Sequence, residues 1–211
     1  YGQLIVDECH HLSAASFELV ARRSKAKYVV GLSATVARRD GHQPIIFMQC
    51  GPVRHCVDPR ADALRRGIAH RVVLRDTTFR LDTDDGTERV SVPRVYARLA
   101  LDGDRNALIV KDVNAAFAEG RSILVLTERR DHVEILRHAF EQFTKRVVVL
   151  RGGMTPGERR AAGEQLRASG PTPRIILATG RYLGEGFDDS RLDTLFIAMP
   201  IAWKGTLAQY V

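Results

Sequence analysis

Residues 4–35 read LIVDECHHLSAASFELVARRSKAKYVVGLSAT. Leu4-Ile5-Val6 is a short continuous apolar run, Phe17, Val20 and Ala21 recur at helical spacing, and Lys27–Leu32 is β-branched and apolar again. Run, period and run predict strand, helix, strand. A parallel pair joined through a helix returns right-handed, so the residues leaving both strands emerge on one edge of the sheet. Asp7-Glu8-Cys9-His10 and Ser33-Ala34-Thr35 are therefore expected to be neighbours.

Further along, residues 53–104 are irregular: Pro52, Pro59 and Pro93 interrupt them, Arg71–Leu81 looks strand-like, and Asp82-Thr83-Asp84-Asp85-Gly86 forms an acidic turn. A boundary between two lobes is expected there. From 105 onward the alternation is clear. Ile109, Val113, Ala116 and Phe117 share a helix face, Ile123–Leu126 is a strand, and Val133, Leu136 and Phe140 share a second helix face. Strands follow at Val147–Leu150, Ile175–Ala178 and Leu195–Ala198, and Thr155-Pro156-Gly157-Glu158 is a capping box with Pro at the first helical position. Alternating strands and helices imply an α/β fold with parallel sheets flanked by helices. In such sheets ligands bind beyond the carboxyl ends of the strands. Those ends carry Thr127-Glu128-Arg129, Arg151-Gly152-Gly153 and Thr179-Gly180-Arg181.

The 211 residues, 45% hydrophobic and 27% charged, are enough to bury a core, which excludes a disordered or mini-protein class. No apolar run approaches the ~20 residues that span a bilayer, and residues 1–20 do not have the layout of a secretory signal. Cys9, Cys50 and Cys56 are odd in number and contain no C-x-x-C pair, which argues against a disulfide framework or a zinc ribbon. Cys9-His10-His11 lacks a second cluster to complete a zinc site. A reducing, cytoplasmic setting and no membrane partner are expected. Thirty-two Lys and Arg against 25 Asp and Glu give +7, a surplus that raises phosphate affinity where it gathers on one face. The chain opens on Tyr1-Gly2-Gln3 without Met and closes on Gln209-Tyr210-Val211, and it reads as a fragment of a longer protein.

An Asp at the end of an apolar strand can meet Mg²⁺ on a bound nucleotide, and the carboxylate beside it can orient an attacking water. Mg²⁺ keeps several of its own waters, so one carboxylate plus phosphates is a sufficient ligand set. Asp7 and Glu8 have this arrangement. Together with Gly31-Leu32-Ser33-Ala34-Thr35 and with Ala178-Thr179-Gly180 continuing to Gly184-Glu185-Gly186-Phe187-Asp188, they resemble motifs II, III and V of superfamily 2 helicases and translocases. Gln209-Tyr210-Val211 resembles the start of motif VI. Val36–Gly51, VARRDGHQPIIFMQCG, and Leu126–His132, LTERRDH, are similar to the XPB-like and type III restriction branch of that group.

The resemblance implies two RecA-like lobes of the P-loop NTPase type, the first incomplete. Residues 1–58 would be the C-terminal part of the first, ATP-binding lobe, 59–104 the linker and start of the second, and 105–211 the second lobe, truncated. It implies ATP and Mg²⁺ as cofactors, Asp7 holding the metal through water, Glu8 activating the hydrolytic water, and His10 linking that site to Ser33 and Thr35, which couple hydrolysis to lobe movement. Gly186 and Asp188 would sit near the nucleotide. Thr179, Arg129, Arg151 and Gly153 would contact a nucleic-acid backbone, with the branch pointing to DNA. Nuclease or primase domains or subunits would accompany the parent protein.

Two departures qualify this. No G-x-x-x-x-G-K-[ST] phosphate loop occurs in the 211 residues, and motif VI stops short of its arginines. The fragment alone is therefore expected to be inactive, while its parent is an ATP-hydrolysing helicase. The alternatives are a RecA-like module that binds nucleic acid or a partner without turnover, and the motor subunit of a restriction or conflict nuclease.

Overall fold

The computed structural model describes residues 2–34, 43–58, 61, 65, 67, 69, 71–81, 91–168, 170, 172–180 and 189–200. Two units divide the described chain, one within Tyr1–Leu74 and one spanning Arg75–Pro200. No described helix is long and apolar enough to cross a membrane.

In the first unit, β1 (Gln3–Val6) and β2 (Tyr28–Gly31) pair in parallel, with Val6 opposite Gly31. A short 3-10 turn, Cys9–Ser13, and helix α1, Ala15–Arg23, make the crossover. Helix α2, Gln43–Cys50, packs on that turn, and Gln49 Nε2 donates to Glu18 Oε1 of α1 at 3.1 Å. Alternation along both strands puts Leu4, Val6 and Val29 on the less exposed side. The small core is Cys9, Leu12 and Ile46, flanked by Val6, Ala21 and Cys50. Of the apolar face expected on α1, only Ala21 joins it. Phe17 and Val20 are 57% and 69% exposed.

The strand-like segment 71–81 carries no strand. Val72 and Leu74 are more than four-fifths exposed, and without a neighbouring strand among the described residues their β-propensity has no ladder to join. The division between the units falls within this segment, after Leu74.

The second unit opens with α3, Val92–Leu101, and α4, Gly103–Ala118. Asp102 caps α4 by accepting from the Arg105 amide at 2.7 Å. Then come β3 (Ile123–Thr127), α5 (Arg130–Glu141), β4 (Val147–Leu150), α6 (Pro156–Ala168), β5 (Ile175–Thr179) and β6 (Thr194–Ile197). The four strands are all parallel in the order β4-β5-β3-β6. The central pair, β3 and β5, is buried at every residue, as continuous apolar runs covered on both faces should be. Val113, Val133, Leu136 and Phe140 from the helices fill the core against Ile123, Val125, Ile175 and Leu177. A fully buried Phe140 alone contributes ~2–3 kcal/mol. The expected capping box starts α6: the Thr155 amide donates to Glu158 Oε2 at 2.6 Å and the Glu158 amide to Thr155 Oγ1 at 3.2 Å.

Candidate functional site

The first unit brings Asp7, Glu8, His10 and Ser33 together. Leu32 donates its amide to Val6 O at 2.9 Å and Cys9 donates to Leu32 O at 2.8 Å, so the chain leaving β1 is tied to the chain leaving β2. This places His10 Nδ1 3.0 Å from Ser33 Oγ. Glu8 adopts the left-handed conformation, φ 47° and ψ 49°, as the only non-glycine with positive φ among the described residues. Such a backbone costs a non-glycine residue about 1–2 kcal/mol. Two local bonds help hold it: the Glu8 amide donates to Asp7 Oδ1 at 2.9 Å, and Glu8 O accepts from the His11 amide at 3.0 Å. The turn aims the Glu8 carboxylate at His10. Its Oε2 is shielded from solvent, lies 3.1 Å from His10 Nδ1, and receives no hydrogen bond there. A carboxylate oxygen in that position has an open acceptor site for a water or a protonated group. Asp7 is exposed, with a second carboxylate oxygen available to a hydrated cation. The donor set therefore fits Mg²⁺ held through water, with nucleotide phosphates supplying the remaining ligands. Thr35, Gly186 and Asp188 lie outside the described residues.

Behind the turn, the Cys9 and Cys50 sulfurs both lie against Gly31, and burial pushes both thiols above their ordinary range.

In the second unit, Thr127 and Thr179 are register partners at the carboxyl ends of the two central strands, and Thr179 is 6% exposed. Arg129 is engaged with Asp131 through Nε at 2.9 Å and Nη2 at 2.5 Å. Arg129 in turn holds the Asp131 carboxyl below the usual range, and Asp131 Oδ1 accepts from the His132 amide at 2.8 Å. Arg151 Nε lies 3.3 Å from Glu134 Oε1, and its Nη2 is 4.0 Å from Glu158 Oε1. Gly153 turns with φ 81° beneath the Arg130 guanidinium, and a Cβ there would sit 2.9 Å from Arg130 Nη1. These candidates thus line one sheet edge, with both arginines already in ion pairs.

Two constellations escaped the sequence reading. His132, fully buried, spans Thr127 Oγ1 at 2.8 Å and Asn106 Oδ1 at 2.9 Å. Asn106 Nδ2 donates to Ala100 O at 2.8 Å, so its oxygen accepts from His132 Nε2–H and the Thr127 hydroxyl donates to Nδ1. Burial first, and the nearby Arg105 charge second, lower the His132 pKa to about 4. Separately, the Asp189 carboxylate, 7% exposed, binds Arg174, which is 1% exposed. It also binds Arg191, whose Nε lies at 2.7 Å, and the Arg191 bond holds the Asp189 carboxyl below its usual range. Both arginines also donate to Leu166 O of α6, at 3.1 and 3.0 Å. The only available signal was Asp189 directly following Gly184-Glu185-Gly186-Phe187-Asp188 in sequence.

The family model described as "Type III restriction enzyme, res subunit" matches residues 1–38. The "Putative ATP-dependent RNA helicase L396" of Acanthamoeba polyphaga mimivirus is 24% identical over 205 residues, 95% of this chain and 38% of that protein. The crystal structure of T4 UvsW aligns over the whole chain and 41% of its own length, with a TM-score of 0.49 and 14% identity. The chain thus spans about two-fifths of each relative. The D-E-C-H turn lies inside the matched family segment, S-A-T follows β2, and a protein named as a helicase aligns over nearly the full length; the chain is similar to helicase-type proteins.

Proposed function

We propose that this chain is part of an ATP-dependent nucleic-acid motor in which Asp7, Glu8 and His10 belong to the hydrolytic site. The observation that carries the reading is the Glu8 carboxylate oxygen held out of solvent beside His10, which itself reaches Ser33. ATP bound with Mg²⁺ supplies the scissile phosphoanhydride and its charge neutralisation. Asp7 would hold Mg²⁺ through its water shell, and Glu8 would accept a hydrogen bond from the attacking water and take its proton. His10 stands between Glu8 and Ser33, so a change at the carboxylate is felt at the chain leaving β2, which continues to Thr35. This is the proposed coupling path.

Gly186 and Asp188 are assigned to the nucleotide side of the second lobe. Thr179, Arg129, Arg151 and Gly153 are assigned to the nucleic-acid backbone, a sequence-tolerant and salt-sensitive contact. We take DNA as the first substrate, on the likeness to the type III restriction model. The name of the mimivirus relative favours RNA as the second.

The test is ATP turnover by the whole protein containing this chain, with and without duplex DNA or RNA. Glu8→Gln should lower stimulated turnover at least ~100-fold while leaving nucleic-acid binding intact. Turnover unchanged by Glu8→Gln would refute the assignment. The 211 residues alone, which contain no G-x-x-x-x-G-K-[ST], should give none above background.

A further inference from the structure

The core of the first unit holds two thiols that the proposed chemistry leaves idle. Cys9, directly after Glu8, is 4% exposed, and Cys50, the last residue of α2, is partly exposed. Both sulfurs close on Gly31, the last residue of β2. A Cβ there would lie 2.8 Å from Cys50 Sγ and 2.9 Å from Cys9 Sγ. Gly31 does not have the positive φ that would require glycine for backbone reasons, so the space it leaves is filled by the two sulfurs. The thiols come from elements that already pack together, since Cys9 is anchored by its amide to Leu32 O and α2 lies on the 3-10 turn. A bridge requires the two sulfurs to close to about 2.05 Å across the face of Gly31. Cys56 is exposed, and its thiol meets Val57 O at 3.8 Å.

We propose that Cys9 and Cys50 form a redox-active dithiol that hydrogen peroxide closes to an intramolecular disulfide, pinning the Asp7–Glu8 turn to α2. The more accessible Cys50 sulfur attacks one peroxide oxygen. The O–O bond breaks, the sulfenic acid forms and one water leaves. The Cys9 sulfur then displaces the hydroxyl from the Cys50 sulfur, the S–S bond forms, and a second water leaves. Two thiols lose two electrons and two hydrogens, and one peroxide is reduced to two waters.

The experiment uses the chain with Cys56→Ser, to remove the exposed competitor, and the unsubstituted chain in parallel. Each is treated with hydrogen peroxide, alkylated, digested and mapped by mass spectrometry. The expected result is a linked peptide pair containing Cys9 and Cys50, lighter by two hydrogens than the separate peptides. It should form in the same yield at tenfold lower protein concentration and be lost with dithiothreitol. Amide exchange across residues 7–11 should slow in the oxidised protein and recover on reduction. Cys50→Ser should give no link and leave Cys9 reduced. Oxygen adducts on the separate cysteines without a link, or links only between chains, would overturn the proposal. The linkage readout is independent of ATP turnover, so it stands or falls apart from the functional reading.

Discussion

Replacing His132 with Gln should remove a defined share of the chain's acid sensitivity. The folded pKa of about 4 lies below the ordinary 6.5, so the unfolded state binds the proton more readily. The stability tied to a neutral His132 is complete above pH 6.5, declines as the pH falls from there, and is lost below about 4. The gap of 2.5 units corresponds to about 3 kcal/mol over the whole range. Between pH 7.5 and pH 5 the share lost is about 2 kcal/mol, because at pH 5 the unfolded imidazole is almost fully protonated and the folded one almost fully neutral. Gln can accept from the Thr127 hydroxyl and donate to Asn106 Oδ1, so it keeps both bonds without titrating. Urea unfolding of each protein at the two pH values, followed by circular dichroism, gives the comparison. The wild type should lose about 2 kcal/mol more than the variant, the other histidines being common to both. Equal pH dependence, or an NMR titration of the His132 ring with a midpoint near 6.5, would refute the reasoning.

Asp189→Asn leaves Arg174 charged at 1% exposure without its carboxylate and should cost ~3–5 kcal/mol in the same urea assay. A loss under ~1 kcal/mol would mean that Arg174 finds another partner. Gly153→Ala places a Cβ at φ 81° and 2.9 Å from Arg130 Nη1, and should cost ~1–2 kcal/mol. In an Arg130→Ala background only the steric part should be recovered, so full recovery would show that the backbone conformation is unstrained.

The fold was legible where a single period governs the residues. The four apolar runs of the second unit became its four parallel strands, and in the central pair, β3 and β5, positions buried on both faces leave no alternation to misread. The meeting of His10 with Ser33 followed from the parallel pairing of β1 and β2, whose carboxyl ends share one edge. Arg71–Leu81 failed for the complementary reason: strand propensity is realised only against a partner strand, and nothing local encodes whether one exists. At the candidate site the proximity of the two turns was legible and their detailed geometry was not. The left-handed Glu8 is not readable from D-E-C-H, since its conformation depends on the Asp7 carboxylate and the His11 amide closing around it. The buried Arg174–Asp189 pair has no local signature, because its members are 15 residues apart in sequence.

The same geometry changes how the +7 surplus should be weighed. At the carboxyl ends of the strands Arg129 is held by Asp131 and Arg151 by Glu134 and Glu158, while Arg174 and Arg191, which precede β5 and β6, are held by Asp189 at the opposite edge. A phosphate approaching the carboxyl edge of the second sheet therefore competes with carboxylates already in place. At Arg151 the contest is cheap, since exposed pairs are worth only ~0–1 kcal/mol. Arg129 differs, because Asp131 also accepts from the His132 amide at the first turn of α5, and His132 carries the bonds to Thr127 and Asn106. Drawing Arg129 away leaves Asp131 as a cap alone, and its negative charge then acts on a neutral imidazole whose low pKa partly reflects the Arg129 charge. Charge exchanged at the sheet edge thus reaches the buried bridge between Thr127 and α4 through two adjacent side chains.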